Sequence, residues 1–302
     1  MTRDEVSAPH VNLVPSEYPG DLYRFIANFV WDEIAEQVSV SEEDHESIIR
    51  ETRERRQRIR ELSGFADERK QAILETRAFR LANKAAINNA AAYFWSSITE
   101  TSQRRKVSKR GVMTITYGAT PYGMGEQVLD DAPKHGIEAL LDMEKSWGAF
   151  MGQLIHKTAF KHMPKSTRLL TIFETAGKRK GLVGKSLSWK VPKTNFPAIQ
   201  DYTRGPPITV TCNFSDTILK IVTYSKEIKV EQPSKQKSGA APNIVHSLDA
   251  AHLTMVVANA NYEVVTVHDS FGASPGNMEA LFHDVRKQFV ELYADNPLPQ
   301  LM

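Results

Sequence analysis

Cysteine and long apolar runs are scarce in this chain of 302 residues. Its single cysteine, Cys212, allows neither an internal disulfide bond nor a cluster of thiolates that could bind a metal ion. No apolar run approaches the roughly 20 residues that a membrane-spanning helix needs, and the first residues, MTRD, form no apolar signal core. The sequence therefore predicts a protein of a reducing compartment that does not enter a membrane.

Acidic residues are scarce in two stretches, although the formal net charge is only +2. Residues 104–110 contain five cations and no acid, and residues 161–193 are rich in Lys and Arg with Glu174 as the only acid. Basic surfaces on a nearly neutral chain suggest contact with a polyanion such as nucleic acid. A solvated helix face is the alternative for residues 161–193.

The composition, 41% hydrophobic and 25% charged, is that of a globular protein with room for a large core. Two β-like runs, Ile208–Phe214 and Ile218–Tyr224, predict a hairpin. Together with the helices, this indicates a helix-rich α+β fold with a small antiparallel sheet. Helical spacing of apolar residues, with Asp21 as the first N-cap, predicts helices over residues 21–38, 67–101, 137–162, 243–260 and 278–293, and a charged exposed helix over 41–62.

The most informative segment is residues 263–272, EVVTVHDSFG. Its β-branched residues predict a strand, and Ser270-Phe271-Gly272 are expected to form the turn that leaves it. A carboxylate held at the tip of a hairpin, here Asp269, is well placed to bind a metal ion. Taken alone, an aspartate at such a position is usually an ordinary turn residue.

A second segment, residues 103–118, predicts a helix with a chemically mixed side. Arg105, Lys109, Met113 and Tyr117 recur every four residues, and each such step turns about 40° around a helix. Two cations, an apolar side chain and a phenol thus share one broad side, which could hold a triphosphate at one end and a sugar and base at the other. A basic amphipathic surface helix is the alternative.

Taken together, these segments resemble the phage-type, single-subunit RNA polymerases. Residues 109–118, KRGVMTITYG, resemble motif B, and residues 267–272, VHDSFG, resemble motif C. Residues 238–253, between them, resemble the segment that leads into motif C. The motifs follow the family order and the similarity covers most of the chain. The resemblance implies a DNA-directed RNA polymerase with the fingers and part of the palm of a right-hand polymerase fold.

The resemblance also implies roles for the residues of motif B. Lys109 and Arg105 would contact the phosphates of the incoming nucleotide, and Tyr117 would pack at the nucleotide site and assist sugar selection. Gly118 would let the chain turn beside the template base. The neighbouring Arg104 and Arg110 would contact template phosphate.

In motif C and the segment before it, the resemblance implies that Asp269 binds catalytic magnesium, with His268 beside it near the primer end. His246 would contact the nascent base pair near its minor groove. Polymerases of this class use two magnesium ions held by two aspartates. Asp269 supplies one of these carboxylates.

The second aspartate of the family belongs to motif A, an acidic residue followed by a sequence such as GSCSGIQ. No such stretch occurs in residues 1–302, and residues 11–17, VNLVPSE, resemble the sequence that follows motif A. We therefore expect a split, heterodimeric polymerase whose second subunit carries motif A and the thumb. The expected partners are this subunit, template DNA, nascent RNA and NTPs, in the cytoplasm of an infected bacterial host.

The resemblance predicts the regions of the chain as well. They are a palm segment at 1–40, fingers at 41–185 with the motif B helix at 103–118, and a palm region at 186–302 with a hairpin at 208–224 and motif C at 264–272. The hairpin falls where the family places a promoter-reading loop. Its tip has no basic residue, so structural support is an equal alternative.

Other functions stay open from the sequence. Family A DNA polymerases share the Arg-x3-Lys-x7-Tyr-Gly helix, but usually have Glu where this chain has Ser270. A catalytically silent nucleic-acid-binding subunit is also consistent with the missing motif A. A phosphate-binding loop ending in Gly184-Lys185-Ser186 is not expected, because it needs Gly where Arg179 stands. Helical spacing is expected to turn Asp249 away from the nearby histidines, so no metal site is predicted there.

Overall fold

A computed structural model describes residues 4–38, 42–137, 145–214, 217–225, 229–267, 269–297 and residue 301. The chain forms two compact units, each with its own hydrophobic core. The helical unit consists of Asp4–Ile115 and Ala119–Pro164, and the mixed unit is built mainly from Thr116–Gly118 and Lys165–Met302.

Helices make up most of the described part of the helical unit. Asp21 caps the first of them by accepting a hydrogen bond from the backbone N–H of Arg24 at 3.0 Å, which confirms the predicted N-cap. The predicted helix over 67–101 is divided at Asn83 into two helices. The helices are α1 (Leu22–Gln37), α2 (Glu42–Glu61), α3 (Ala66–Ala82), α4 (Lys84–Ser96), α5 (Thr101–Ile115), α6 (Pro121–Asp131) and α7 (Lys145–His162), with 3-10 turns at Pro9–Val11, Leu62–Gly64 and Pro133–His135.

Three tryptophans link the helices of this core. The indole N–H of Trp31 donates to the carbonyl of Trp95 at 3.1 Å, and that of Trp95 donates to the carbonyl of Trp147 at 3.2 Å. All three rings are buried. Because each buried indole N–H has a partner, the bulky rings can fill the core without the cost of an unsatisfied donor.

Helices α6 and α7 pack backbone against backbone. A Cβ atom at Gly152 would lie 2.4 Å from the backbone nitrogen of Gly125, and one at Gly148 would lie 2.6 Å from the carbonyl oxygen of Gly125. Side chains at these positions would therefore separate the helices. This contact brings α7 against the helix that follows motif B.

The mixed unit combines three long helices with short antiparallel ribbons, so the helix-rich α+β fold class is confirmed. Among the described residues, the strands pair as four separate two-stranded ribbons. The elements are α8 (Pro164–Leu182), β1 (Leu187–Lys190), β2 (Pro197–Gln200), β3 (Thr203–Arg204), β4 (Pro207–Phe214), β5 (Thr217–Tyr224), β6 (Val230–Glu231), α9 (Pro233–Asn259), β7 (Val264–Val267), β8 (Ser270–Ala273), a 3-10 turn at Pro275–Asn277 and α10 (Met278–Ala294).

The pairs are β1 with β2, β3 with β6, β4 with β5 and β7 with β8. The β4–β5 ribbon confirms the predicted hairpin, although its tip at residues 215–216 lies outside the described residues. The core of this unit surrounds α9, where Ile244 and Leu248 pack with Phe173 and Leu292. Helix α9 begins ten residues before the predicted helix at 243 and continues through Pro242.

No helix in the described ranges is both long and apolar enough to cross a membrane. Apart from Thr116–Gly118, the chain passes from the helical unit to the mixed unit at residue 165. The polymerase regions predicted at 1–40, 41–185 and 186–302 are functional divisions, and they stay predictions.

Candidate nucleotide and metal site

Helix α9 is the element on which several predicted site residues meet. The ring of Tyr117, from the end of motif B, lies edge-on against the ring of His246 on α9, with centroids 4.6 Å apart at 71°. Both residues belong to the mixed unit. The structure thus brings together two residues that the sequence assigned separately to the nucleotide site.

The motif B helix ends sooner than the predicted range of 103–118. Helix α5 stops at Ile115, and Gly118 adopts a left-handed conformation with φ = +74°. Glycine takes this conformation without the steric cost that a side chain adds, which is why it commonly terminates helices. Tyr117 therefore lies in the turn after the helix. The predicted four-residue spacing from Arg105 to Tyr117 does not place the Tyr117 side chain on the same helix side as Arg105 and Lys109.

The start of α9 is fixed by two glutamines that sequence reasoning did not identify. The side-chain amide of Gln200 donates to the backbone carbonyl of Gln236 at 2.8 Å, and that of Gln236 donates to the carbonyl of Gln200 at 2.7 Å. Both side chains are almost fully buried. Neither glutamine stands in a recognisable motif or apolar period, so no sequence signal indicated this reciprocal pair.

A close approach next to this pair requires glycine. A Cβ atom at Gly239 would lie 2.5 Å from the ring of Tyr202. The Tyr202 hydroxyl accepts a hydrogen bond from Asn243 on α9 at 3.3 Å. These contacts hold the turns of α9 that precede His246 against the β2–β3 connection.

Motif C forms a tight hairpin with Asp269 in its connection. Strands β7 and β8 pair with Val267 opposite Ser270, so residues 268 and 269 join them. The predicted strand and the position of Asp269 at a hairpin tip are confirmed, and the structure shows that Asp269 is exposed. The expected turn at 270–272 is wrong, because these residues extend the ladder as β8. His268 lies outside the described residues.

His252 of α9 contacts both helix α10 and the motif C hairpin. The Nε2 atom of His252 donates to the carbonyl of Val285 at 2.8 Å, which fixes that nitrogen as a hydrogen-bond donor. Its ring also lies edge-on to Phe271 of β8, with centroids 5.8 Å apart. The aromatic side of the hairpin therefore packs against α9, while the exposed tip carries Asp269.

Asp249 is a second carboxylate close to the hairpin tip. Desolvation raises the pKa of Asp249; among the neighbouring groups, His246 lowers this pKa, Asp269 raises it and His252 lowers it. Residues three positions apart are neighbours on the surface of a helix, so the expectation that the helix turns Asp249 away from both histidines is wrong.

Asp269 could supply one ligand of a magnesium site. An exposed carboxylate is the hard oxygen ligand that this ion prefers, and magnesium sites often combine one or two carboxylates with substrate phosphates. Within the described ranges, no group of three or more His, Cys, Asp or Glu side chains could hold a metal ion. Asp269 is therefore a single ligand that would need others.

In the helical unit, Arg105 and Lys109 frame the ring of Tyr23. The guanidinium of Arg105 lies 5.4 Å and the ammonium of Lys109 5.8 Å from the ring centroid. Arg105 also donates from Nε to the carboxylate of Asp21 at 2.5 Å. Burial acts to raise the pKa of Asp21, but the hydrogen bond and charge of Arg105, with backbone hydrogen bonds, lower it overall.

Arg104 and Arg110 already have partners within the helical unit. Arg104 donates from Nε to the carbonyl of Ile98 at 2.7 Å, and Arg110 lies 3.2 Å from the carboxylate of Asp131. Each arginine keeps further N–H donors, since a guanidinium has five. Their contact with template phosphate stays a prediction, as do the other site roles.

The chain is similar over its whole length to known RNA polymerases. The family model of DNA-dependent RNA polymerase matches residues 1–302. T7 RNA polymerase from Escherichia phage T7 is 29% identical over 97% of this chain and 33% of its own length. The DNA-directed RNA polymerase of Enterobacteria phage K11 is 29% identical over 98% of this chain and 32% of its own length.

This chain matches a larger share of the length of one plant relative. DNA-directed RNA polymerase 2A of Nicotiana tabacum is 26% identical over 100% of this chain and 76% of its own length. By contrast, the chain spans about a third of the length of the two phage relatives. The whole-length match and the phage relatives confirm the resemblance seen in motifs B and C: the chain belongs to the DNA-dependent RNA polymerase family.

Proposed function

We propose that this chain is a subunit of a DNA-directed RNA polymerase that transfers nucleotides from NTPs to the 3′ end of an RNA. The observation that carries this proposal is the meeting of three separate segments at α9. Tyr117 lies against His246, and Asp269 is close enough to Asp249 to raise its pKa. The end of motif B, the segment before motif C, and motif C thus lie within one compact unit.

The residues of the helical unit suit the triphosphate. Arg105 uses Nε for Asp21, which leaves its two terminal amino groups to form a forked contact with a phosphate. Lys109 is exposed and adds a second positive charge. Fixed cations stabilise the negative charge that builds on a phosphoryl group during transfer.

The residues of the mixed unit suit the sugar and the primer end. The Tyr117 ring, held edge-on by His246, would pack at the nucleotide and distinguish ribose from deoxyribose. His246 would contact the nascent pair, and Gly118 would let the chain turn beside the template base. Asp269, with His268, would lie at the primer end, and magnesium bound there would stabilise charge on the attacking and leaving oxygens.

We further propose that a second polypeptide supplies motif A, with its aspartate, and the thumb. Two-metal transfer needs a motif A aspartate in addition to Asp269, and the partner would supply it. Template DNA, nascent RNA and NTPs would be the ligands of the assembled heterodimer. The phage relatives favour the cytoplasm of an infected bacterium as the place where it works.

The experiment is to tag this chain in its natural source, purify the native polymerase and measure primer extension on a DNA template. We expect two polypeptides and incorporation of NTPs in preference to dNTPs. Asp269→Ala should reduce synthesis by on the order of 100-fold or more. Asp201→Ala, at an exposed aspartate of the same unit, is the matched control and should have little effect.

Each part of the proposal has its own contradicting outcome. Preferred use of dNTPs would favour the family A DNA polymerase alternative. Template binding without synthesis by the complete assembly would favour the silent subunit. A single native polypeptide that carries motif A, or synthesis by this chain alone, would contradict the split arrangement.

Lys109 can be tested against a neighbour on the same helix. Lys109→Ala should raise the KM for NTPs and lower kcat, because Lys109 is proposed to contact both bound and transferring phosphate. Lys106→Ala removes the same charge from another exposed position on α5 and should do neither. Equal effects of the two variants would reduce the role of Lys109 to general electrostatic attraction.

A further inference from the structure

A cleft of about 570 Å³ runs along α8 in the mixed unit. We call it the α8 cleft. Its lining combines one face of α8 with side chains from β1, α9 and residue 301. The lining residues are Arg168, Thr171, Ile172, Phe173, Thr175, Ala176, Arg179, Lys180, Leu187, Ile244 and Leu301.

The α8 cleft lies within the acid-poor stretch that the sequence singled out. Arg168 marks one end of the helix face, and Arg179 and Lys180 mark the other. Arg179 is eleven positions after Arg168 on the helix, which corresponds to roughly 16 Å at 1.5 Å per residue. The cations therefore border an elongated site that could contact several groups along one chain.

These cations are not neutralised within the described part of the chain. Arg168, Arg179 and Lys180 are exposed, and the described residues provide no ion pair for any of them. The only acid of the stretch, Glu174, does not line the cleft and instead pairs with Lys237 at 3.2 Å. The α8 cleft thus favours an anionic ligand.

Between the cations, the cleft offers apolar contact but no exposed aromatic ring. Ile172 is 40% exposed, whereas Phe173 is buried. Thr171 and Thr175 donate their hydroxyl hydrogens to backbone carbonyls of α8 itself. The lining therefore offers neither a ring on which a base could stack nor a free threonine hydroxyl donor. What it offers is cations at both ends, which can contact phosphates, and an apolar middle, which can contact sugars.

We propose that the α8 cleft binds the sugar–phosphate backbone of a single nucleic-acid strand. Phosphates would lie at Arg168 and Arg179, and the sugars between them would pack on Ile172. A cleft of about 570 Å³ has room for part of one strand, and contacts between cations and phosphates hold nucleic acid without reading its sequence. The choice of nucleic acid as the anion rests on the proposed polymerase function.

The test measures binding of fluorescent 12-nucleotide single strands, one of DNA and one of RNA, to the full chain over a range of salt concentrations. Arg168→Ala/Arg179→Ala should weaken binding of at least one strand. For that strand, the slope of log K against log salt should fall by about 1.4, since each single-strand phosphate contact contributes about 0.7.

Lys178→Ala is the matched control. Lys178 is exposed and directly precedes Arg179 on α8, but it does not line the cleft. Its removal should leave the salt slope at the level of the unmodified chain. A loss confined to RNA would identify the path of the transcript, a loss confined to DNA that of the template, and a loss with both would indicate backbone contact shared by the two.

Unchanged affinity and slope with both strands would overturn the proposal, and would point to an acidic peptide as the occupant. An equal loss with Lys178→Ala would overturn it as well. If the double variant does not fold, a photoreactive strand crosslinked to the unmodified chain must label a peptide of α8; labelling elsewhere only would contradict the site. Because binding requires no catalysis, failure of RNA synthesis leaves this result interpretable.

Discussion

At the scale of single residues, Asp21 connects helix formation to Arg105, a proposed nucleotide-binding residue. Its carboxylate caps α1 through Arg24 and also accepts from Arg105. Asparagine is about as good an N-cap as aspartate, but it lacks the charge. The two functions of Asp21 can therefore be separated by substitution.

We expect Asp21→Asn to keep most of the stability of α1, whereas Asp21→Ala should lower the free energy of unfolding by about 1 kcal/mol. Urea unfolding of the full chain measures the difference. In the assembled polymerase, both variants should raise the KM for NTPs, because each releases Arg105 from its carboxylate. An unchanged KM in both variants would show that Asp21 does not orient Arg105 for the substrate.

A second residue-scale prediction concerns Tyr293, which lies near Asp249. Burial, and to a smaller extent Asp249, raises the pKa of Tyr293 to about 12, above the usual value of about 10. The folded chain thus holds this proton more strongly than the unfolded chain does. The stabilisation is present in full below about pH 10 and is lost as the pH rises towards 12.

Tyr293→Phe should therefore flatten the fall in unfolding temperature between about pH 10 and pH 12, while the profile near neutral pH keeps its shape. Thermal unfolding at a series of alkaline pH values measures this. A profile of unchanged steepness would show that Tyr293 titrates normally in the folded chain.

At the scale of elements, the close packing of α6 and α7 depends on missing side chains. A Cβ atom at Gly152 would lie 2.4 Å from a backbone nitrogen of α6. Gly152→Ala should lower the free energy of unfolding by about 1–3 kcal/mol, the usual cost of overpacking. Urea denaturation of the full chain provides the measurement.

Gly64→Ala is the control for this prediction, because a Cβ atom at Gly64 meets no other atom within 4 Å. It should change the stability by no more than about 0.5 kcal/mol. Equal effects of the two variants would mean that the loss arises from backbone freedom and not from the approach of the two helices.

At the scale of the whole molecule, two separate cores suggest that unfolding is not a single transition. Gln236→Leu should destabilise the mixed unit by about 1–3 kcal/mol, since it leaves the buried amide of Gln200 without its side-chain partner. Gly152→Ala should affect the helical unit instead.

Hydrogen exchange followed by peptide can assign each effect to a unit. We expect faster exchange in α9 for Gln236→Leu and in α6 and α7 for Gly152→Ala. Lys235→Ala, on the exposed side of α9, should alter neither. Equal acceleration in both units by either variant would indicate one cooperative fold.

The sequence by itself determined the family, the fold class and the positions of the informative motifs. The run of β-branched residues at 264–267 predicted a strand, and the apolar spacing of α1, α7 and α10 predicted helices, because these patterns depend on near neighbours in the chain. The hairpin at 208–224 and the N-cap at Asp21 followed for the same reason.

Only the tertiary structure decided which distant residues meet. The contact of Tyr117 with His246, the pairing of Asp21 with Arg105, and the effect of Asp269 on Asp249 join segments that share no local pattern. The Gln200–Gln236 pair gave no signal at all, since a buried amide looks like any surface glutamine in a sequence. Local periodicity fixes elements, but satisfying polar groups across a core depends on how those elements pack.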